Sequence, residues 1–161
     1  MEKIIMGSDP WGFELKTSIK KYLEEKGYQI IDVGMHDAKN PVDYYMVSSL
    51  AAKKIQKGEA DRGILFCGTG MGVAIAANKF KGIYAAVIES EFTAKMCKAV
   101  NDANILTMGA MIISEHRAKM AIDAWLNAKH TDGFDSDMGK FLKSALAEIK
   151  VIEEEEFKSL D

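Results

Sequence analysis

Apolar and polar residues alternate along this chain in two rhythms. Short, nearly continuous apolar runs, KIIMGS at 3–8, YQIIDVG at 28–34, RGILFCG at 62–68, GIYAAVIE at 82–89 and ANILTMGAMII at 103–113, have the length and bounding glycines of buried strands. Between them the period lengthens. In GFELKTSIKKYLEEKG, Phe13, Leu15, Ile19, Tyr22 and Leu23 fall along one helical face, and Gly27 supplies a stop. VDYYMVSSLAAKKIQKG repeats the device with Gly58, and VAIAANKF, SEFTAKMCKAVN and SEHRAKMAIDAWLNAKH continue it. Strand–helix alternation with right-handed crossovers predicts a Rossmann-like, doubly wound, five-stranded parallel sheet in an α/β/α sandwich.

That pattern holds over 1–130 and changes over 131–161, where the polar link TDGFDSDMG leads into a charged amphipathic stretch expected to form a C-terminal helical arm. Phe141, Leu142, Leu146 and Ile149 give the arm an apolar stripe, which either meets a second copy of the chain or folds back on its own domain. The acidic run at 153–156 reads as a solvated face or a frayed end.

Composition narrows the function classes. A chain of 161 residues with 48% hydrophobic and 28% charged residues suits one globular domain with a real core. A net charge of −3 gives no basic field for nucleic acid or an anionic membrane. No apolar run approaches the ~18 residues that span a bilayer, and the start lacks a secretory apolar region, so a cytoplasmic protein is expected. Cys67 and Cys97 make no metal-ligand spacing with the three histidines, and a disulfide is not expected in a reducing compartment. No metal or cofactor is expected.

The stretch FCGTGMGVAIAANK at 66–79 carries the most chemistry. Cys67 ends the third strand and Asp9 the first, so both can face the crevice outside the carboxyl ends of a parallel sheet. Without side chains at Gly68, Gly70 and Gly72, backbone N–H groups can approach an anion closely, and Thr69 adds a hydroxyl. A helix beginning beyond Gly72 would aim its positive end at the same spot and favour a thiolate at Cys67. Against this, Cys67 can be a small core residue, Asp9 the N-cap of a helix whose first residue is Pro10, and Trp11 either a core side chain or an aromatic wall. The glycine pattern is not the dinucleotide fingerprint, because no acidic residue ends a strand ~20 residues later.

Together, GSD and GFELK near the start, DVG, VDY, GEADRGILFCGTGMGVAIAANK, NDANILTMGAMII and AIDAWLNAK resemble the ribose-5-phosphate isomerase type B and galactose-6-phosphate isomerase subunit family, collinearly from residue 3 to about residue 130. The resemblance implies cofactor-free aldose–ketose isomerisation of a small sugar phosphate through an enediolate, in a homodimer or homotetramer with shared active sites. It casts Cys67 as the base, Thr69 with the N–H groups of Gly70 and Gly72 as the oxyanion holders, and Asp9 as the carboxylate that handles hydroxyl protons. Tyr44 becomes a pocket residue and Asn101 a contribution from the partner subunit, while Ser8, Trp11, Gly68 and Met71 complete the substrate-binding set.

This chain also departs from the family pattern. Pro10 and Val100 stand where the type B enzymes carry histidines, the second associated with ring opening. Met111 replaces an arginine, and DGFDSDMGK stands where two phosphate-binding arginines are usual. Two readings follow: an isomerase whose substrate needs no ring opening, such as a four-carbon or otherwise open-chain sugar, or a non-catalytic partner subunit of a heteromeric isomerase. A nucleotide or phosphate sensor on the same crevice is a third.

Overall fold

The computed structural model describes residues 2–158. Five strands, β1 (Lys3–Ser8), β2 (Gln29–Asp32), β3 (Arg62–Cys67), β4 (Ala85–Val87) and β5 (Ile105–Gly109), form one parallel sheet in the order β2-β1-β3-β5-β4. Helices α1 (Phe13–Glu25), α2 (Tyr44–Gln56), α3 (Met71–Ala77), α4 (Glu91–Asn101) and α5 (Glu115–Asn127) link the strands or follow them, and α6 (Ser136–Lys158) closes the described chain. The doubly wound α/β sandwich expected from the two rhythms is present.

Strand residues divide by parity, as a pleated sheet buried on both faces requires. Ile4, Met6, Ile64, Phe66, Leu106 and Met108 pack with α1 and α5, where Leu15, Ile19, Leu23, Ile122 and Trp125 complete one core layer. Ile5, Leu65, Cys67 and Ile105 face the other way, onto Val47, Ala51 and Ala52 of α2 and Val73 and Ala77 of α3. Cys67 therefore belongs to the α2/α3 side of the sheet.

Several boundaries differ from the sequence expectation. The fourth strand shrinks to three residues, because only Ala85–Val87 finds a hydrogen-bonded partner, in β5. The fifth stops at Gly109, beyond which Ala110–Ile113 turns back toward β3: the Ala110 N–H donates to the Cys67 carbonyl (2.9 Å) and the Met111 N–H to the Gly68 carbonyl (3.0 Å). The helix after Cys67 starts at Met71, ahead of Gly72, because Gly70 reverses the chain with φ 79° and serves as N-cap.

A buried ion pair that the periodicity did not reveal ties α1 to the end of β2. Lys16 Nζ lies 2.8 Å from Asp32 Oδ2, with side chains 2% and 7% exposed. The same ammonium donates to the Met35 carbonyl, pinning the loop beyond β2. Removing one member of such a pair strands the other in low dielectric, at about 3–5 kcal/mol.

The C-terminal arm is helical and in part folds back. Leu142 is buried, and the Thr131 N–H donates to the Ala99 carbonyl (2.8 Å). The acidic run is not simply solvated. Glu153 accepts from the Gly82 N–H (2.8 Å) and the Tyr84 hydroxyl (3.2 Å), and Glu154 pairs with Lys81 (2.5 Å). Burial, reinforced by the Glu153 charge, pushes the Tyr84 phenol up to about 12. Phe141, Ile149, Val151 and Ile152 remain exposed. Residues 159–161 of the expected arm lie outside the described residues.

Candidate active site

Parallel strands deliver their carboxyl ends to one edge, and three turns meet there: Asp9–Gly12 after β1, Gly68–Gly70 after β3, and Ala110–Ile113 after β5. They enclose, with the start of α2, a cavity of about 370 Å³. Asp9, Cys67 and Thr69 line it with a carboxyl, a thiol and a hydroxyl. Trp11, Tyr44 and Met111 form its walls, and Gly68 and Gly72 leave its floor open.

Each group is held by its turn. Cys67 is buried, 5% exposed, and its Sγ accepts a hydrogen bond from the Gly70 N–H at 3.1 Å. Only the left-handed backbone at Gly70 brings that N–H round. A Cβ there would also stand 2.9 Å from the Met108 carbonyl carbon, so the position is closed to side chains on two grounds. Gly72 lies against the Tyr44 ring, two of whose carbons would be 3.0 Å from an added Cβ; the glycine is what lets the phenol reach the cavity.

Asp9 is not the helix N-cap that its sequence neighbours allow. The cap position is Gly12, and Asp9 Oδ1 instead accepts from the Gly12 N–H (3.0 Å), closing a tight turn over the end of β3. At 5% exposure, desolvation is the largest influence on its carboxyl and raises its pKa above the ordinary carboxylate value. The backbone N–H groups of Gly12 and Trp11 oppose that shift, and the Asp43 charge adds to it. A buried carboxyl with a raised pKa can hold or release a proton nearer neutrality than a surface aspartate can.

The expected site residues do not all reach this cavity. Asp9, Trp11, Tyr44, Cys67, Gly68, Thr69 and Gly72 do. Ser8 lies fully buried, with its Oγ lacking a hydrogen-bond partner. Gly70 commits its N–H to the sulfur, leaving Thr69 and the first-turn N–H of Gly72 as the remaining members of the expected oxyanion set. Met71 opens α3 with an exposed side chain, its N–H 3.4 Å from Thr69 Oγ1. Asn101 ends α4 and lines a different cavity, with Cys97, Tyr84 and Leu146. Trp11 is no core residue, being 67% exposed. Met111 stands out only when the chain is compared with the family pattern, and the structure makes it a wall.

Cys97 is half-buried in α4, where its thiol donates to the Ala94 carbonyl one turn earlier (3.1 Å). Burial pushes this thiol up to about 11. Among the described residues no cluster of histidine, cysteine and carboxylate side chains is arranged to hold a metal ion. No described helix is long and apolar enough to cross a membrane.

Comparison with known proteins bears on this geometry. Residues 4–138 match the family described as Ribose/Galactose Isomerase. A 4-deoxy-4-sulfo-D-erythrose isomerase from Clostridium sp. (strain MSTE9) is 45% identical over 152 residues, 94% of this chain and 96% of that protein. Ribose-5-phosphate isomerase B of Escherichia coli K12 is 42% identical over 133 residues, 83% of this chain and 89% of its own. The solved structure of Clostridium thermocellum ribose-5-phosphate isomerase B superposes with a TM-score of 0.86 at 38% identity, covering 95% of this chain and 98% of that one.

Proposed function

Because this chain belongs to the ribose/galactose isomerase family, an aldose–ketose isomerase family, we propose that its own substrate is a short open-chain sugar: a four-carbon aldose with an anionic group at its far end. The carrying observation is the lining of the Cys67 cavity, which holds a thiol, a carboxyl, a hydroxyl and a phenol but no histidine or arginine among the described residues. A four-carbon aldose substituted at C4 cannot close the usual furanose or pyranose ring, so no acid–base group is needed to open one. The relative named for sulfo-erythrose, matching nearly end to end, supports the same chain length.

In the forward direction the Cys67 thiolate takes the proton from C2 while Asp9 gives a proton to the carbonyl oxygen on C1, leaving an enediol. Asp9 then accepts the proton of the C2 hydroxyl, and Cys67 returns its proton to C1, giving the ketose. Negative charge on the substrate oxygens faces Thr69 and the Gly72 N–H during both transfers. Tyr44 and Trp11 offer flat faces to the carbon chain. The enzyme ends as it began, and no electron acceptor is required.

We place this activity in a cytoplasmic homodimer. Both described cysteines are free thiols, and Asn101, at the end of α4, lines a separate cavity, so it can meet a Cys67 cavity only from a second copy. Sedimentation is expected to give twice the 17.8 kDa mass or a multiple of it. A monomer at micromolar concentration would refute this assembly.

The substrate is tested with erythrose carrying a terminal phosphate or sulfonate, in deuterated solvent, followed by proton NMR. Deuterium at the exchanged carbon and formation of the ketose are expected. Ribose 5-phosphate should be handled with kcat/KM lower by about 100-fold than for the four-carbon substrate, the cost of a ring that no acid–base group in this lining is placed to open. Saturation by ribose 5-phosphate at micromolar concentration would overturn the four-carbon reading.

A further inference from the structure

A second cavity, of about 610 Å³, opens beside the first at the same end of the sheet. It lies on the other helix layer, over Phe13 and Leu15 of α1 and beside Ser114 and Glu115 at the start of α5. The two cavities share two lining residues, Trp11 and Met111. Both side chains border Gly68, the residue just beyond β3. A Cβ on Gly68 would sit 3.4 Å from Met111 Sδ and 3.5 Å from Trp11 Cβ. A side chain at 68 would therefore touch both of them.

Both backbones are anchored and both side chains are free to be changed. The Met111 N–H is bonded to the Gly68 carbonyl, and the Trp11 turn is drawn down onto the Asp9 carboxyl. The side chains are 67% and 62% exposed, so neither supports the core.

We propose that Trp11 and Met111 form a partition that sets substrate chain length. It confines a short sugar to the Cys67 cavity on the α2/α3 side, and beyond it lies unused space on the α1/α5 side. The inference rests on the open-chain reading given above and adds the residues that enforce it. Trp11 and Met111 act here through shape, as specificity residues, and take no part in proton transfer.

The test uses neutral alditols of four, five and six carbons, erythritol, ribitol and a hexitol, with binding read by titration calorimetry on the full chain. Alditols cannot cyclise, so ring opening does not enter. Neutral probes are chosen because Glu14 and Glu115 line the second cavity and would repel a terminal anion for reasons unrelated to length. In the unmodified protein affinity is expected to fall from four carbons to six. In Met111→Ala, Trp11→Ala and their combination, the six-carbon to four-carbon affinity ratio should rise about tenfold, the usual worth of accommodating or refusing a small group in a pocket. Met111→Leu, of similar volume, should restore the original ratio. An unchanged length order in all of the alanine variants, or a shift in Met111→Leu equal to that in Met111→Ala, would overturn the partition. Binding is read without turnover, so failure to isomerise any four-carbon sugar would remove the substrate reading and leave this result standing.

Discussion

The two cysteines occupy opposite kinds of structure. Cys67 ends a buried strand and opens a glycine turn, where the Gly70 N–H points at its sulfur and a cavity begins beside it. Cys97 sits inside an amphipathic helix with its own Ala94 carbonyl as acceptor, and burial outweighs the Lys98 charge and backbone N–H to raise its pKa. Identical side chains thus differ in their setting: a glycine turn beside a cavity at Cys67, a helix interior at Cys97. Burial keeps the Cys97 thiol a neutral packing group, whereas Cys67 lines the cavity that also holds Asp9 and Thr69.

The contrast is broken most severely at the turn. Cys67→Ser keeps the shape but offers a far weaker base, and solvent hydrogen exchange into the accepted sugar should fall about 1,000-fold with the circular dichroism spectrum unchanged. Retention of full exchange would end the role given to this thiol. Asp9→Asn should lower turnover about 100-fold. Its stability carries the opposite sign. The folded-state pKa of Asp9 is raised, so above 3.8 the folded protein holds a proton that the unfolded chain releases, and stability falls as pH rises through that window. The asparagine variant should therefore melt at or above the parent temperature at pH 7, with the difference vanishing below pH 3.8.

Gly70→Ala tests whether the turn itself makes the difference. The left-handed backbone costs a side chain about 1–2 kcal/mol, and the overlap with Met108 adds to it. A Tm lower by about 3–8 °C is expected for a domain of this size, with turnover reduced as the N–H leaves the sulfur. The smallest effect belongs to Cys97→Ser, which should leave turnover within about twofold, as for a packing residue. It should also flatten stability between pH 9.0 and about 11, where the parent loses the benefit of a thiol whose folded-state value is raised. An alkylation rate for Cys97 that levels off near pH 9 would contradict its burial.

The fold was legible because each strand is centred on a short apolar run and each helix is apolar on one face, a difference in period that survives at the level of sequence. The crevice was legible for the same reason, since strand ends are where such runs stop. What escaped depends on positive φ and on tertiary neighbours. Gly72 read as the last glycine of the turn ahead of the helix, yet it lies inside α3, and its missing side chain makes room for Tyr44 from another helix. Asp9 read equally as a crevice carboxylate and as the cap of a helix starting at Pro10; the added turn through Gly12 displaces the helix start and leaves the carboxyl lining the cavity. The Lys16–Asp32 pair joins residues from two predicted elements with no local signal of their meeting. Met111 belongs to an apolar run and becomes a wall only because the chain turns at Gly109.

The strand order carries a consequence for how the molecule is made. β4 is paired only with β5 among the described strands, and β5 also fills the place beside β3. Synthesis delivers β4 first, so the segment from Gly82 through α4 has no edge to join until Gly109 has been added. During that interval β3 has an unpaired edge along its apolar residues Ile64–Cys67, the kind that recruits a second chain. The placing of β5 between β3 and β4 also draws Ala110 onto the Cys67 carbonyl and sets Met111 in its wall. The nascent chain therefore acquires its reactive pocket at the moment its vulnerable edge disappears.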